Sequence, residues 1–390
     1  MDALMKRSRA FAEAVVIMLC PVLLAIALHA VDLKSAEHGA AIPIAMLVMA
    51  AITMISGTFP FLALCFSKRF VANGGAWRLP TTATNCLVPF SCACLIVLAC
   101  WIIRLIVSER WANVFPAIGG VLVLCILIRT VIYCRARIDH PVDDAEFDAR
   151  LENSLEFLAG VTALLFLGLE GLALEGHSNG GQGGQQQQQQ QHLALPLGVS
   201  FLACVFGVSL MLIEMIPPLP GAADNGDGDG YAFLMSNYTV IFDFAMAFAV
   251  SAVMWSIMHA IMELRALLLL LPLFLILLVR AYDVAVGADT GTGGGGGGGE
   301  DEKPASMELT KVAFTGFMAV SIPAVKTGSL CGSTDWFLIF AASAIISGFA
   351  WRLLTHAKMG TTANFASFCT HFCIAIATVP FTVIAVKALH

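Results

Sequence analysis

Long apolar runs, separated by short polar connections, recur along the whole chain. Windows of about 19 residues locate eleven such runs, each long enough to cross a hydrocarbon core of about 30 Å as a helix. They lie near residues 11–30, 41–66, 86–107, 114–134, 155–174, 194–216, 234–260, 266–285, 312–330, 336–354 and 364–386. Lipid offers backbone amides no hydrogen-bond partner, and the alternating pattern of a barrel strand is absent. The pattern therefore predicts an all-α polytopic transmembrane bundle of about eleven spans (ten to twelve).

The composition agrees with a chain whose main solvent is lipid. Hydrophobic residues make up 58% of the 390 residues and charged residues 12%, against about 45–50% and about 25% in ordinary globular domains. The polar connections are much shorter than the roughly 50 residues that a small soluble domain needs. The sequence thus predicts one integral membrane domain over residues 1–390, in which any chemistry uses residues of the spans or of their ends.

Several predicted spans contain residues that shape helix geometry. Seven contain a proline and are predicted to be kinked: Pro21, Pro60, Pro89, Pro116, Pro272, Pro323 and Pro380. Broken helices expose backbone groups to solutes in many transporters, although proline is also common in membrane helices generally. Small residues at helical spacing in the tenth span predict close helix packing there; they are Ser343, Ala344, Ser347 and Gly348.

Lysine and arginine are distributed unequally between the two sides. With eleven spans, fifteen of the 21 basic residues fall on the side of the amino terminus. Because such residues are retained in the cytoplasm, the amino terminus is predicted to be cytoplasmic and the carboxyl terminus outside or lumenal. The membrane is a plasma membrane or an endomembrane. The first run also resembles a secretory signal, but its length and the ten spans that follow favour a retained helix.

Three connections have biased composition. The Gly/Gln-rich segment 176–192 and the Gly-rich segment 287–306 are predicted to be disordered, and 217–230 is an acidic Gly/Pro loop. A G-x-G-x-x-G pattern occurs at Gly291 to Gly296, but no strand precedes it, no helix opens directly after it, and the following acidic residues would repel phosphate. The segment is therefore interpreted as a linker.

Ionisable residues inside the spans are the candidates for function, because a charge at the bilayer centre costs roughly 2.5–3.5 kcal/mol on insertion scales. Most charged residues, including Glu214, lie near span ends, and Glu170 lies about one turn from the outer edge of the fifth span. Asp243 and His371 remain as the groups expected to lie deepest. Asp243, His371 and Glu170 are accordingly the candidate intramembrane polar site.

The predicted span around Asp243 allows a structural aspartate, an ion relay through Asp243, or a copper site at its methionines, and helical periodicity helps to choose among them. At 100° per residue its face also contains four apolar residues, Ala247, Val250, Met254 and Met258. His259 and Glu263 lie roughly opposite. Asp243 is either a structural aspartate, hydrogen-bonded or interfacial, or part of a proton or cation relay, whereas the methionines are packing residues in preference to copper ligands.

His371 lies between Cys369 and Cys373 in the eleventh span. The two cysteines share a helical face, but the histidine points to the other side, so one helix cannot direct all three to a metal. Packing is the preferred interpretation of these residues.

The favoured function is transport of a small solute or ion, and the alternative is a non-catalytic membrane scaffold or complex subunit. Span number and broken helices favour transport. No paired carboxylates, Ser-His pair or metal constellation converges in the sequence, so we expect no enzyme activity, no cofactor and no bound metal. The expected partners are the lipid bilayer and the transported solute or ion, with no nucleic acid; the sequence names no protein partner.

Overall fold

The computed structural model describes residues 2–27, 41–70, 78–106, 113–136, 145–177, 186–216, 228–286, 306–327, 332–356 and 359–389. These residues form eleven α-helices and one 3-10 helix, with no strand among them. The helices are α1 (Asp2–Ala27), α2 (Ala41–Phe70), α3 (Arg78–Ile106), α4 (Val114–Ala136), α5 (Ala145–His177), α6 (Gln186–Met215), α7 (Gly228–Met262), α8 (Leu271–Val286), α9 (Ser306–Thr327), α10 (Gly332–His356) and α11 (Gly360–Leu389). The predicted all-α architecture is confirmed.

Nine stretches of the described helices are long and apolar enough to cross a membrane. They belong to α2 to α7, to the 3-10 helix together with α8, and to α10 and α11, while α9 carries a shorter apolar stretch, Leu309–Ser321. The chain is therefore a multi-pass helical membrane protein.

Helix contacts divide the chain into two compact units, Met1–Met246 and Ala247–His390. In the first unit α2 packs against α1 and α3, and α5 packs against α6, α1 and α3. The membrane-spanning stretches of α5 and α6 are each 72% buried within the protein, compared with 11% for α4. The α5–α6 pair is thus shielded from lipid by other helices.

In the second unit α10 packs against α9 and α11. The Oγ1 atom of Thr310 in α9 directly faces Gly348, where a Cβ atom would overlap it. Thr370 of α11 donates a hydrogen bond to Ser347 Oγ over 3.1 Å. The close packing predicted from the small residues of the tenth span is confirmed.

The end of α7 has an unusual backbone. Glu263 adopts φ 51°, the only positive φ of a non-glycine residue in the described part of the chain. A 3-10 helix over Glu263–Leu270 follows and leads into α8. The left-handed conformation of Glu263 terminates α7 without a separate loop.

Two prolines have a different role from the one the sequence suggests. Pro116 lies in the first turn of α4, where the missing N–H has no helical partner to lose, whereas Pro272 lies at the start of α8, directly after the 3-10 helix. Pro21, Pro60, Pro89, Pro323 and Pro380 do lie inside their helices.

The biased connections are shorter in the structure than the composition predicts. Helix α5 continues to His177 and α6 begins at Gln186, so the glutamine run 186–191 is helical rather than a loop, in line with the good helix propensity of glutamine. Helix α7 begins at Gly228 and α9 at Ser306. The rest of the three segments, 178–185, 217–227 and 287–305, lies outside the described residues.

Candidate functional site

Three helices of the first unit bring buried polar side chains together. Ser154 of α5 has its Oγ 2.6 Å from Glu214 Oε1 of α6 and 2.7 Å from Asp243 Oδ1 of α7. The exposed fractions are 3% for Ser154, 1% for Glu214 and 3% for Asp243. We call these three residues the carboxyl site.

The two short contacts of Ser154 Oγ constrain the protonation of the carboxyl site. A serine hydroxyl has one hydrogen and donates only one hydrogen bond. The second short contact is a hydrogen bond only if the other carboxyl group is protonated and donates to Ser154 Oγ. Two carboxylates no farther apart than the sum of those distances would also repel each other, which favours one shared proton. One carboxylate and one carboxylic acid would give each of the two contacts a donor and an acceptor.

Basic residues lie at the same end of these helices. Lys6 of α1 forms an ion pair with Glu152 of α5 over 3.2 Å, and Arg7, next in sequence, is buried. Arg129 of α4 donates from Nη2 to the backbone carbonyl of Ile216, at the end of α6. Since Glu152 and Ile216 are each two residues from the carboxyl site, cationic side chains from α1 and α4 flank it.

The sequence of α6 explains how the helices come so close. Ser200, Gly207 and Glu214 recur every seven residues and therefore lie on one side of the helix. A Cβ atom at Gly207 would overlap Thr162 Oγ1 of α5 and lie 2.9 Å from Met246 Cε of α7. The absence of a side chain at Gly207 thus lets Thr162 of α5 and the end of the Met246 side chain of α7 lie against α6 two turns from Glu214.

Asp243 is buried and forms part of the carboxyl site, and its helix presents the faces that the periodicity predicts. The four apolar residues on its side, Ala247, Val250, Met254 and Met258, are buried. His259 and Glu263 are exposed.

Glu170 is also buried, with 3% of its surface exposed, but the structure does not bring it to Asp243. It lies sixteen residues beyond Ser154 on α5, or about 24 Å along a helix. Neither carboxyl oxygen has a hydrogen-bond partner among the described residues. Its electrostatic neighbour is the thiol of Cys204 on α6.

His371 is exposed on α11, in the second unit. Its Nδ1 lies 2.8 Å from the carbonyl oxygen of Ser367, and its ring is 5.9 Å from that of Trp351. Cys369 and Cys373 are buried. A residue midway between two inward-facing residues one turn apart necessarily points outward.

Two residues of the carboxyl site escaped the sequence analysis. Glu214 was assigned to a span margin, and Ser154 lies just outside the predicted fifth span. The expectation that no carboxylates converge is therefore wrong, because Glu214 and Asp243 do so through Ser154. The seven-residue spacing of Ser200, Gly207 and Glu214 inside an apolar run was the available signal.

No protein-family model, curated protein or solved structure matches this chain. What the carboxyl site can do follows from its own chemistry. Its oxygen atoms can bind a proton or, once deprotonated, a small cation.

Proposed function

We propose that this multi-pass membrane protein transports a small solute or ion and that the carboxyl site is its ion-binding centre. One observation carries the proposal: the hydroxyl of Ser154 on α5 lies between two buried carboxyl groups, one on α6 and one on α7. The proposal assigns no catalytic reaction to the site.

The energetic cost of the carboxyl site favours a functional role. Ionisable groups in membrane spans are expensive and are usually retained for ion or proton pathways. For a purely structural role, apolar residues of similar volume would serve as well or better. Ion transport supplies a reason for keeping Glu214 and Asp243 inside the protein.

The site also offers a means of coupling ion binding to helix movement. Loss of the shared proton leaves two carboxylates around Ser154, and their repulsion favours separation of α5, α6 and α7 or capture of another cation. A ligand shifts a conformational equilibrium by its difference in affinity for the two states. Because the three residues belong to different helices, ion occupancy and helix arrangement are linked in this way.

The proposal is tested with the purified full-length protein in liposomes. Proton entry is followed with a trapped pH-sensitive dye under a potassium diffusion potential, and sodium and potassium conductance is measured in planar bilayers. The flux of at least one of these ions should be higher in membranes that contain the wild-type protein than in protein-free membranes. Asp243→Asn should lower that flux at unchanged expression. Glu156→Gln is the matched control, since Glu156 is an exposed carboxylate on α5.

A scaffold would behave differently. It would give no flux of protons, sodium or potassium above protein-free membranes and would retain stable protein partners after gentle detergent extraction. Absence of flux in the wild type would contradict the proposed function.

A further inference from the structure

A second buried carboxyl group lies at the opposite end of α5 from the carboxyl site. The membrane-spanning stretch of this helix is Leu151–Gly171, so that Ser154 lies near its beginning and Glu170 near its end. Their separation of about 24 Å along the helix covers most of a hydrocarbon core of about 30 Å. With a cytoplasmic amino terminus, the carboxyl site faces the cytoplasmic half and Glu170 the outer half.

The surroundings of Glu170 favour its neutral form. Both oxygens lack a hydrogen-bond partner in the described part of the chain, and an ionised carboxylate without a partner is strongly disfavoured in such an interior. Among the described residues, the helices packed against α5 place few ionisable groups toward this end. They are Cys204 of α6, Cys20 of α1, and Cys100 and Arg104 of α3, of which Arg104 is exposed.

Hydroxyl groups without partners accompany Glu170 along the α5–α6 interface. Many hydroxyls in the described helices bond to the carbonyl four residues earlier, as Ser209 of α6 does to Val205 over 2.9 Å. Thr162 and Ser200 do not, and their buried oxygens have no partner among the described residues. Thr162 lies midway between Ser154 and Glu170, with Oγ1 against Gly207 of α6.

A proton suits Glu170 better than a metal cation does. A proton needs one oxygen lone pair, whereas a metal cation is held by a shell of several oxygen ligands. The buried hydroxyls can take part in a proton relay. The intervals from Ser154 to Thr162 and from Thr162 to Glu170 are each about 12 Å along α5, so the relay also needs water molecules between these residues.

We propose that Glu170 is a second proton-binding residue and that the proton is the ion that this protein moves along the α5–α6 interface, between Glu170 and the carboxyl site. This inference rests on the proposed function and specifies its ion. Each step forms one O–H bond and breaks another, with no oxidation or reduction.

Proton binding at Glu170 is tested without transport, by difference infrared spectroscopy of the purified protein in lipid nanodiscs near neutral pH. A protonated carboxyl group gives a C=O stretching band that shifts in heavy water. Glu170→Gln should remove one such band, and Glu156→Gln should leave the spectrum unchanged in this region. If Glu170→Gln removes no band, Glu170 is not protonated and the inference is overturned.

Proton movement is tested in liposomes with the trapped dye. Glu170→Gln should reduce proton entry to that of protein-free liposomes, and Thr162→Val should slow it while Thr162→Ser, which keeps the hydroxyl, restores it. Sodium or potassium flux without proton flux in the wild type would overturn the inference but support the proposed function, as would normal proton entry in Glu170→Gln. No ion flux in the wild type would overturn both.

Discussion

Ser154 Oγ lies 2.7 Å from Asp243 Oδ1, and the same hydroxyl is shared with Glu214. Ser154→Ala removes the group that separates and satisfies two buried carboxyls. We expect a loss of about 1–3 kcal/mol in the free energy of unfolding, the usual cost of leaving a buried polar group without its partner. Unfolding titrations in mixed micelles would measure it.

The matched control for this substitution is Ser256→Ala. Ser256 is equally buried but bonds to the carbonyl of Val253 in its own helix, over 2.7 Å. Loss of the Ser256 hydroxyl should lower the free energy of unfolding by less than about 1 kcal/mol. Equal effects of the two substitutions would argue that Ser154 does not connect the carboxyls.

Asp243→Asn and Asp243→Ala should differ in stability although both impair ion binding. The amide can donate a hydrogen bond to Ser154 Oγ as a protonated carboxyl does. The free energy of unfolding of Asp243→Asn is therefore expected to lie within about 1 kcal/mol of the wild-type value. Asp243→Ala leaves Ser154 without that partner. It should lower the free energy of unfolding by about 2–4 kcal/mol more than Asp243→Asn does.

The same micelle titrations, combined with the liposome flux assay, separate the two effects. Retained stability with lost flux in Asp243→Asn is the expected result. If Asp243→Asn unfolds as readily as Asp243→Ala, the one-proton description of the carboxyl site is wrong.

Replacement of Glu263 should stabilise the protein. A non-glycine residue at φ 51° costs about 1–2 kcal/mol relative to the right-handed region, a penalty that glycine does not carry. Glu263→Gly is therefore expected to raise the free energy of unfolding by up to about 1 kcal/mol. The control, Glu156→Gly in the interior of α5, should lower it by about 1 kcal/mol, and a loss at both positions would contradict the left-handed assignment.

The helices were predictable because the signal for a membrane span is local. The length and apolarity of a run suffice to place α6 or α7 approximately, without knowing their neighbours. The exceptions are at the ends: the glutamine run before residue 192 has no apolar signal, yet α6 begins at Gln186.

The site was only partly predictable because it depends on which helices are neighbours. Asp243 stood out, since a short carboxylate within a long apolar run has few means of reaching water. Glu214, one residue from the end of its spanning stretch, has the same sequence context as an interfacial glutamate. Its burial follows from packing against α5, which no local pattern encodes.

Gly207→Ala tests the close approach of α5 and α6 two turns from Glu214. A Cβ atom there would overlap Thr162 Oγ1, and Met246 Cε would lie 2.9 Å away. The methionine end can move, but the β-branched threonine is rigid, so we expect a loss of about 1–3 kcal/mol in the free energy of unfolding. Gly120→Ala, where a Cβ atom meets nothing within 4 Å, should cause no loss.

A second substitution shows whether Thr162 is the cause. Thr162→Ala in the Gly207→Ala background should recover part of the lost stability, giving a coupling energy of about 0.5–3 kcal/mol in a double-mutant cycle. Simple additivity of the two substitutions, or tolerance of Gly207→Ala equal to that of Gly120→Ala, would show that α5 and α6 do not meet at Thr162 and Gly207. Since Thr162 and Gly207 lie about two turns from Ser154 and Glu214 on the same pair of helices, a failure here would also contradict the α5–α6 packing on which the carboxyl site depends.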